Sequence, residues 1–191
     1  MRAAFAWLLV LAAVTPAAAD FEAGVAAAAK GDYEAARREW EPLAASGNRD
    51  AQFNLGLLYE NGLGVAADGA KAAYWYGKAA GQNDPVSQAY LAERYAKGLG
   101  VPRDDVKALE WYRRAAELGH PASQYNVGLF YAFGRGVEPN DVEAYAWMTV
   151  AFENGAPATE VRDKLARHMS AAHLEEAKKL VAEVRQRCSL K

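Results

Sequence analysis

The chain has 191 residues, 52% of them hydrophobic and 24% charged, with a formal net charge of −2. That balance supports a packed core and excludes an intrinsically disordered chain, which would be poorer in apolar residues. Near-neutral charge without a basic cluster argues against a nucleic-acid partner, because phosphate binding needs concentrated positive charge.

The first 19 residues stand apart from the rest. Met1-Arg2 provides a positive start, Ala3 to Val14 an apolar run too short to span a bilayer comfortably, and Ala17-Ala18-Ala19 the small residues of a cleavage site. A secretory signal peptide over 1–19, cut after Ala19, is therefore expected, with the bacterial periplasm as destination. Cleavage removes Arg2 and leaves 21 basic against 24 acidic side chains, a net charge of −3. No later stretch is long and apolar enough for a membrane span, so the mature chain is not expected to cross a membrane. The single cysteine, Cys188, excludes an intrachain disulfide and is expected in a loose, inert tail.

From residue 48 the chain repeats itself every 36 residues. Gln52, Gln88 and Gln124 share one column. So do Tyr59, Tyr95 and Tyr131; Gly62, Gly98 and Gly134; Gly64, Gly100 and Gly136; Val65, Val101 and Val137; Ala72, Ala108 and Ala144; and Trp75, Trp111 and Trp147. The units are 48–83, 84–119 and 120–155. A degenerate helix pair over 20–47 precedes them, with Trp40 in the column of Tyr76 and Tyr112.

Each unit reads as two helices. Pro85 and Pro121 suit a first helical turn, where the missing N–H is not needed. Gly62, Gly98 and Gly134 end the first helix of each pair, and a G-x-G-V turn reverses the chain. Asp68, Asp104 and Asn140 are N-cap residues for the second helix, and Asn140 with Glu143 has capping-box spacing. The three column tryptophans are predicted core residues, each costing about 3–5 kcal/mol if replaced by alanine. After Gly155 the repeat stops. One helix is predicted from Pro157 to Met169 and a second after Ser170, with Leu174, Ala177, Leu180, Val181 and Val184 on its apolar face. These helices over 156–191 are expected to cap the open end of the stack; the alternative is that the last one occupies a binding groove.

The run Leu55-Gly56-Leu57-Leu58-Tyr59-Glu60-Asn61-Gly62-Leu63-Gly64-Val65, followed by Ala72 to Ala80, resembles the Sel-one-like repeat family. The resemblance covers most of 48–155. It implies an all-α fold, a right-handed α/α solenoid of antiparallel helix pairs related to the tetratricopeptide repeat, and a scaffold or adaptor role. Two departures stand out: Leu91-Ala92 replaces Leu-Gly, and Met148-Thr149-Val150-Ala151-Phe152 replaces the usual small-residue helix end. Cysteine-rich relatives linked to penicillin binding carry a disulfide in each repeat; this chain has none, so that activity does not carry over.

No catalytic constellation stands out. His168 and His173 are separated by the Ser170 break, no cysteine or carboxylate cluster completes a metal site, and the G-x-G turns lack the preceding strand and third glycine of a dinucleotide fingerprint. No enzyme activity, cofactor or metal is expected. The expected partner is another protein or a peptide segment, bound on the concave face formed by the first helix of each unit. By the tetratricopeptide analogy that face carries Phe53, Leu57, Glu60 and Asn61, then Ala89, Glu93 and Lys97, then Tyr125, Leu129 and Phe133. The same columns could instead pack against neighbouring helices, and the sequence leaves both roles open. A cell-wall glycan-binding protein or an envelope enzyme is the alternative function.

Overall fold

The computed structural model describes residues 19–189, so the expected leader lies, apart from Ala19, outside the described residues. The described residues form ten helices and no strand: α1 (Phe21–Ala29), α2 (Tyr33–Ala45), α3 (Arg49–Asn61), α4 (Gly69–Ala80), α5 (Pro85–Lys97), α6 (Asp105–Glu117), α7 (Pro121–Phe133), α8 (Asp141–Glu153), α9 (Thr159–His168) and α10 (Ala171–Ser189). From α1 to α9 each helix packs on its neighbours in sequence. The result is an all-α solenoid with one layer of first helices (α1, α3, α5, α7, here the A layer) and one of second helices (α2, α4, α6, α8, the B layer).

The helix ends follow the side chains that can satisfy them. Asn48, Asp84 and His120 cap the A helices α3, α5 and α7, while Asp68, Asp104 and Asn140 cap α4, α6 and α8. Gly62, Gly98 and Gly134 close the A helices in the left-handed conformation expected for a glycine cap. The tyrosine column also fastens the turn: the carbonyls of Tyr59, Tyr95 and Tyr131 accept from the N–H groups of Asp68, Asp104 and Asn140 at 2.8, 2.9 and 2.9 Å. That bond corrects the capping-box expectation. Asn140 accepts from Glu143 N, but its own N–H is already donated to Tyr131, and Glu143 Oε2 is buried without a partner among the described residues.

Within a pair, a small residue on the A helix receives a large one from the B helix. A Cβ on Gly56 would lie 2.5 Å from the Tyr76 ring, one on Gly128 would lie 2.9 Å from Met148 Cγ, and one on Gly24 would lie 2.7 Å from Trp40 Cδ1. The degenerate first pair therefore uses the same contact as the clear units. This column, and not the tryptophan column, is the regular core: Trp40, Tyr76, Tyr112 and Met148 are all buried. The expectation of three core tryptophans holds only for Trp147; Trp75 and Trp111 are half-buried.

The glutamine column joins successive units. Gln52, Gln88 and Gln124 are buried and donate to the carbonyls of Ala44, Ala80 and Ala116, which end the preceding B helices. Their acceptor oxygens depend on the residue one repeat further along. Gln82 donates to Gln52 Oε1 at 2.8 Å and Asn154 to Gln124 Oε1 at 2.9 Å. Leu118 stands in the same column of the middle unit, and Gln88 Oε1 is left buried and unpartnered among the described residues. Leu118→Gln should therefore stabilise the fold by about 0.5–1.5 kcal/mol, the net worth of one hydrogen bond. Urea denaturation measures it, and no rise in midpoint would show that the orphaned oxygen carries no cost.

The second glycine of each G-x-G-V turn has a separate task. Gly64, Gly100 and Gly136 adopt φ of 64°, 78° and 66° and lie directly against the start of the preceding B helix, at Tyr33, Gly69 and Asp105. They set the spacing between units.

After the third unit, α9 packs on α8, with Val161 and Leu165 against Tyr125, Leu129 and Met148. It occupies the place of a further A helix. The helix begins at Thr159, two residues later than Pro157, because Ala158 is its N-cap. The last helix, α10, crosses the B layer and packs on α8 and α6, burying Ala177, Val181 and Val184. It therefore lies along the B layer. Cys188 is part of this helix, not of a loose tail: it is half-buried and its thiol lies 3.4 Å from the Ala116 carbonyl.

Candidate partner-binding cleft

The sequence-predicted surface residues separate into two groups. Phe53 and Leu57 pack in the cluster around Tyr76 and Leu91, with Phe53 5.2 Å from Tyr90 and 5.6 Å from Tyr76, ring centre to ring centre. Tyr125 and Leu129 pack against Met148 and α9. These four side chains pack inward against the buried clusters of their own ends of the stack. Glu60 is also engaged: it accepts from the Tyr76 hydroxyl at 2.5 Å and pairs with buried Arg94 of the next unit. Asn61 is exposed and donates to the Leu57 carbonyl. Phe133 is 71% exposed beside Val161 and Leu165, the most exposed large apolar side chain among the described residues.

The middle unit differs because Ala89 and Glu93 stand in the columns of Phe53/Tyr125 and Leu57/Leu129. With no large apolar residue there, a cleft of about 390 Å³ opens between α5 and α7. Ala89, Glu93 and Lys97 line its α5 wall, and Ala122, Asn126 and Phe130 line its α7 wall. Of the residues singled out by sequence, the structure brings Ala89, Glu93 and Lys97 together here and places the apolar ones elsewhere.

Several cleft residues carry polar chemistry. Lys97 pairs with Glu93 along α5. Arg135 bonds Asp105 at 2.7 Å and the Ala96 carbonyl at 3.4 Å, with its guanidinium 4.2 Å from the Phe130 ring centre. The side-chain amide of Asn126 has no partner among the described residues. Burial pushes the Tyr112 phenol up to about 12, with the Glu93 carboxylate acting in the same direction, so it stays a neutral donor at ordinary pH. Sequence reasoning missed Asn126, Arg135 and Arg94. Arg94 did have a signal: it is charged in a column otherwise occupied by Leu58 and Phe130.

His120 closes one end of the cleft. Its Nδ1 faces Ser123 Oγ at 2.8 Å and the Ser123 N–H at 3.3 Å, which makes the ring the N-cap of α7. Burial lowers its pKa below 6.5, with Asp84 partly opposing the shift. A protonated Nδ1 could not accept from Ser123 N–H. Because the folded pKa is depressed, the unfolded chain takes up the proton first. The contribution is therefore present above about pH 6.5 and is lost as pH falls below it. His120→Asp keeps an acceptor at the cap, as Asp84 does on α5. Its stability should change less than that of the wild type between about pH 7.5 and about pH 5.5, as read by thermal melts. Parallel pH profiles would rule out His120 as the source.

No group of three or more metal-ligating side chains occurs among the described residues. No helix among them is long and apolar enough to cross a membrane. A stack of antiparallel helix pairs in two layers defines a helical-repeat solenoid. The Sel1 repeat profile matches residues 49–84, 85–120 and 121–155, more than half of the chain, and the protein belongs to the Sel1 repeat family. It is similar to a Sel1 repeat protein from Oxalobacter formigenes, with 34% identity and a TM-score of 0.67 over 71% of this chain and 56% of the other. It is also similar to c5321, a protective antigen present in uropathogenic Escherichia coli strains, with 26% identity and a TM-score of 0.62 over 88% of this chain and 45% of the other. The chain spans about half the length of these two relatives. No significant match was found among curated proteins.

Proposed function

We propose that this chain is an exported scaffold that holds a segment of another protein in the cleft between α5 and α7, in the bacterial periplasm. The observation that carries the reading is the cleft itself: Phe53 and Leu57 on one side of it and Tyr125 and Leu129 on the other pack against neighbouring helices, and here Ala89 and Glu93 stand in their columns. A scaffold that only stacked its repeats would have no reason to omit those side chains from one space. Export is supported by the N-terminal pattern of Met1-Arg2, the apolar run to Val14 and the small residues to Ala19.

In-cell photocrosslinking tests the binding site. A crosslinking residue at position 89 or 122 should yield a discrete protein adduct that the same residue at position 71, on the B layer, does not. Identical adducts from all three positions would reject the cleft. Intact mass measurement of the protein from a periplasmic extract tests export, with a chain beginning at Asp20 expected. A full-length chain confined to the cytoplasm would reject it.

A further inference from the structure

We infer that the cleft between α5 and α7 takes an aromatic side chain of a short extended peptide, with a carboxylate of the same peptide directed to the Lys97 and Arg135 end. The inference rests on the protein-binding reading above and specifies its ligand.

The protein carries its own template for the aromatic group. Between α3 and α5, the Phe53 ring meets Tyr90 edge-on at 5.2 Å. Tyr125 and Leu129 of α7 pack in the cluster with Val161 and Leu165 of α9. One repeat away from each, Ala89 and Glu93 supply a methyl group and a carboxylate in place of a ring and a leucine. The cleft is thus the vacated seat of one ring and one aliphatic side chain. It retains aromatic walls, since Tyr112 and Phe130 lie 5.6 Å apart with their rings near perpendicular. A ring entering from outside buries apolar area and gains the edge-to-face geometry that such rings favour.

The remaining groups suit a peptide. The unpartnered Asn126 amide has one donor and one acceptor end, matching the N–H and C=O of a peptide group. From Ala89 to Lys97 is eight helical residues, roughly 12 Å at 1.5 Å per residue. Three to four extended residues cover that distance at about 3.3 Å each.

The charges are polarised along the cleft. At the far end, the cations are the outer members of their ion pairs: the Lys97 side chain is 61% exposed against 38% for Glu93, and Arg135 is 35% exposed against 20% for Asp105. A ligand reaching that end meets ammonium and guanidinium before carboxylate. At the near end, burial favours the uncharged form of His120. An acidic group therefore orients the peptide, with its ring toward Ala89.

The test uses the full chain and three capped tetrapeptides: acetyl-Phe-Gly-Gly-Asp-amide, its Ala-for-Phe analogue and its Lys-for-Asp analogue. A tetramer of N-acetylglucosamine serves as a glycan probe. Backbone amide NMR shifts at Ala89 and Asn126 should saturate with the Phe/Asp peptide and require roughly tenfold more of either analogue. Ala89→Tyr, which copies Tyr125, should abolish the shifts while keeping the far-UV spectrum and melting temperature of the wild type. Lys97→Glu, an exposed change that leaves the core intact, should remove the preference for Asp over Lys. Equal shifts with the Phe and Ala peptides, shifts with the glycan alone, or an unchanged charge preference in Lys97→Glu would overturn the inference. Crosslinking from positions 89 and 122 that captures protein, without any preference for the aromatic peptide, would overturn this ligand while leaving the scaffold reading intact. Peptide shifts without specific crosslinks would support the ligand and reject the scaffold role.

Discussion

Replacing Gly100 with alanine is expected to lower stability by about 2–5 kcal/mol, combining roughly 1–2 kcal/mol for a left-handed alanine with roughly 1–3 kcal/mol for overpacking. Gly100 has φ of 78°, and a Cβ there would fall within the Gly69 carbonyl and 2.5 Å from the Ala70 nitrogen. Those are backbone atoms of the preceding unit, so no side chain can move aside; the units themselves must separate. Gly119 provides the control. Its φ is 84°, but a Cβ there would meet nothing within 4 Å. Gly119→Ala should therefore show the backbone cost alone, about 1–2 kcal/mol. Urea denaturation of the two variants separates conformational strain from the loss of inter-repeat contact. Equal losses would mean that the stacking distance is not held by Gly100.

Trp147→Ala should cost about 3–5 kcal/mol, against roughly half that for Trp75→Ala or Trp111→Ala. The three residues occupy one sequence column but three different surroundings. Trp147 is fully buried in a cluster with Val181 and Val184 of α10, and the Arg187 guanidinium lies 5.5 Å from its ring. Trp75 has an edge-on contact to the exposed Tyr74 at 5.0 Å, and Trp111 carries Arg114 over its ring at 4.5 Å. Trp147→Phe should be much milder than Trp147→Ala, because it keeps most of the buried ring and removes an indole N–H that has no acceptor among the described residues. Chemical denaturation of the four variants checks the order. A Trp75→Ala loss as large as that of Trp147→Ala would show that the B layer is covered along its whole length.

These two experiments address the two kinds of information in the repeat. The turn glycines, the N-cap residues Asp68, Asp104 and Asn140, and the small residue opposite Tyr76 (Gly56, then Ala92 and Gly128) are visible in sequence because each solves a local problem that recurs in every unit. A backbone with positive φ, an unsatisfied helix N–H, or a ring pressed on a helix admits few residue types, so the same answer returns every 36 residues. The family assignment follows from that recurrence.

The candidate site had the opposite character. Its columns were visible, but which of their members face solvent was not. Phe53, Leu57, Tyr125 and Leu129 read as exposed or packed equally well, since surface and core positions are adjacent on a three-turn helix. Their large apolar groups pack inward against buried clusters, and the site lies where those groups are missing. Arg135 gave no periodic signal because Leu63 and Leu99 stand in its column, and Asn126 recurs only as Asn54, with Tyr90 between them.

The sequence by itself determined the helix pairs, their turns and the period, since these depend on contacts within one unit or between successive ones. The tertiary structure decided which tryptophan is core, that a cleft opens between α5 and α7, and that α10 packs along the B layer. These depend on burial by groups distant in the chain, as with the Trp147 cluster, which includes Val181 and Val184, and no spacing rule within a repeat contains them.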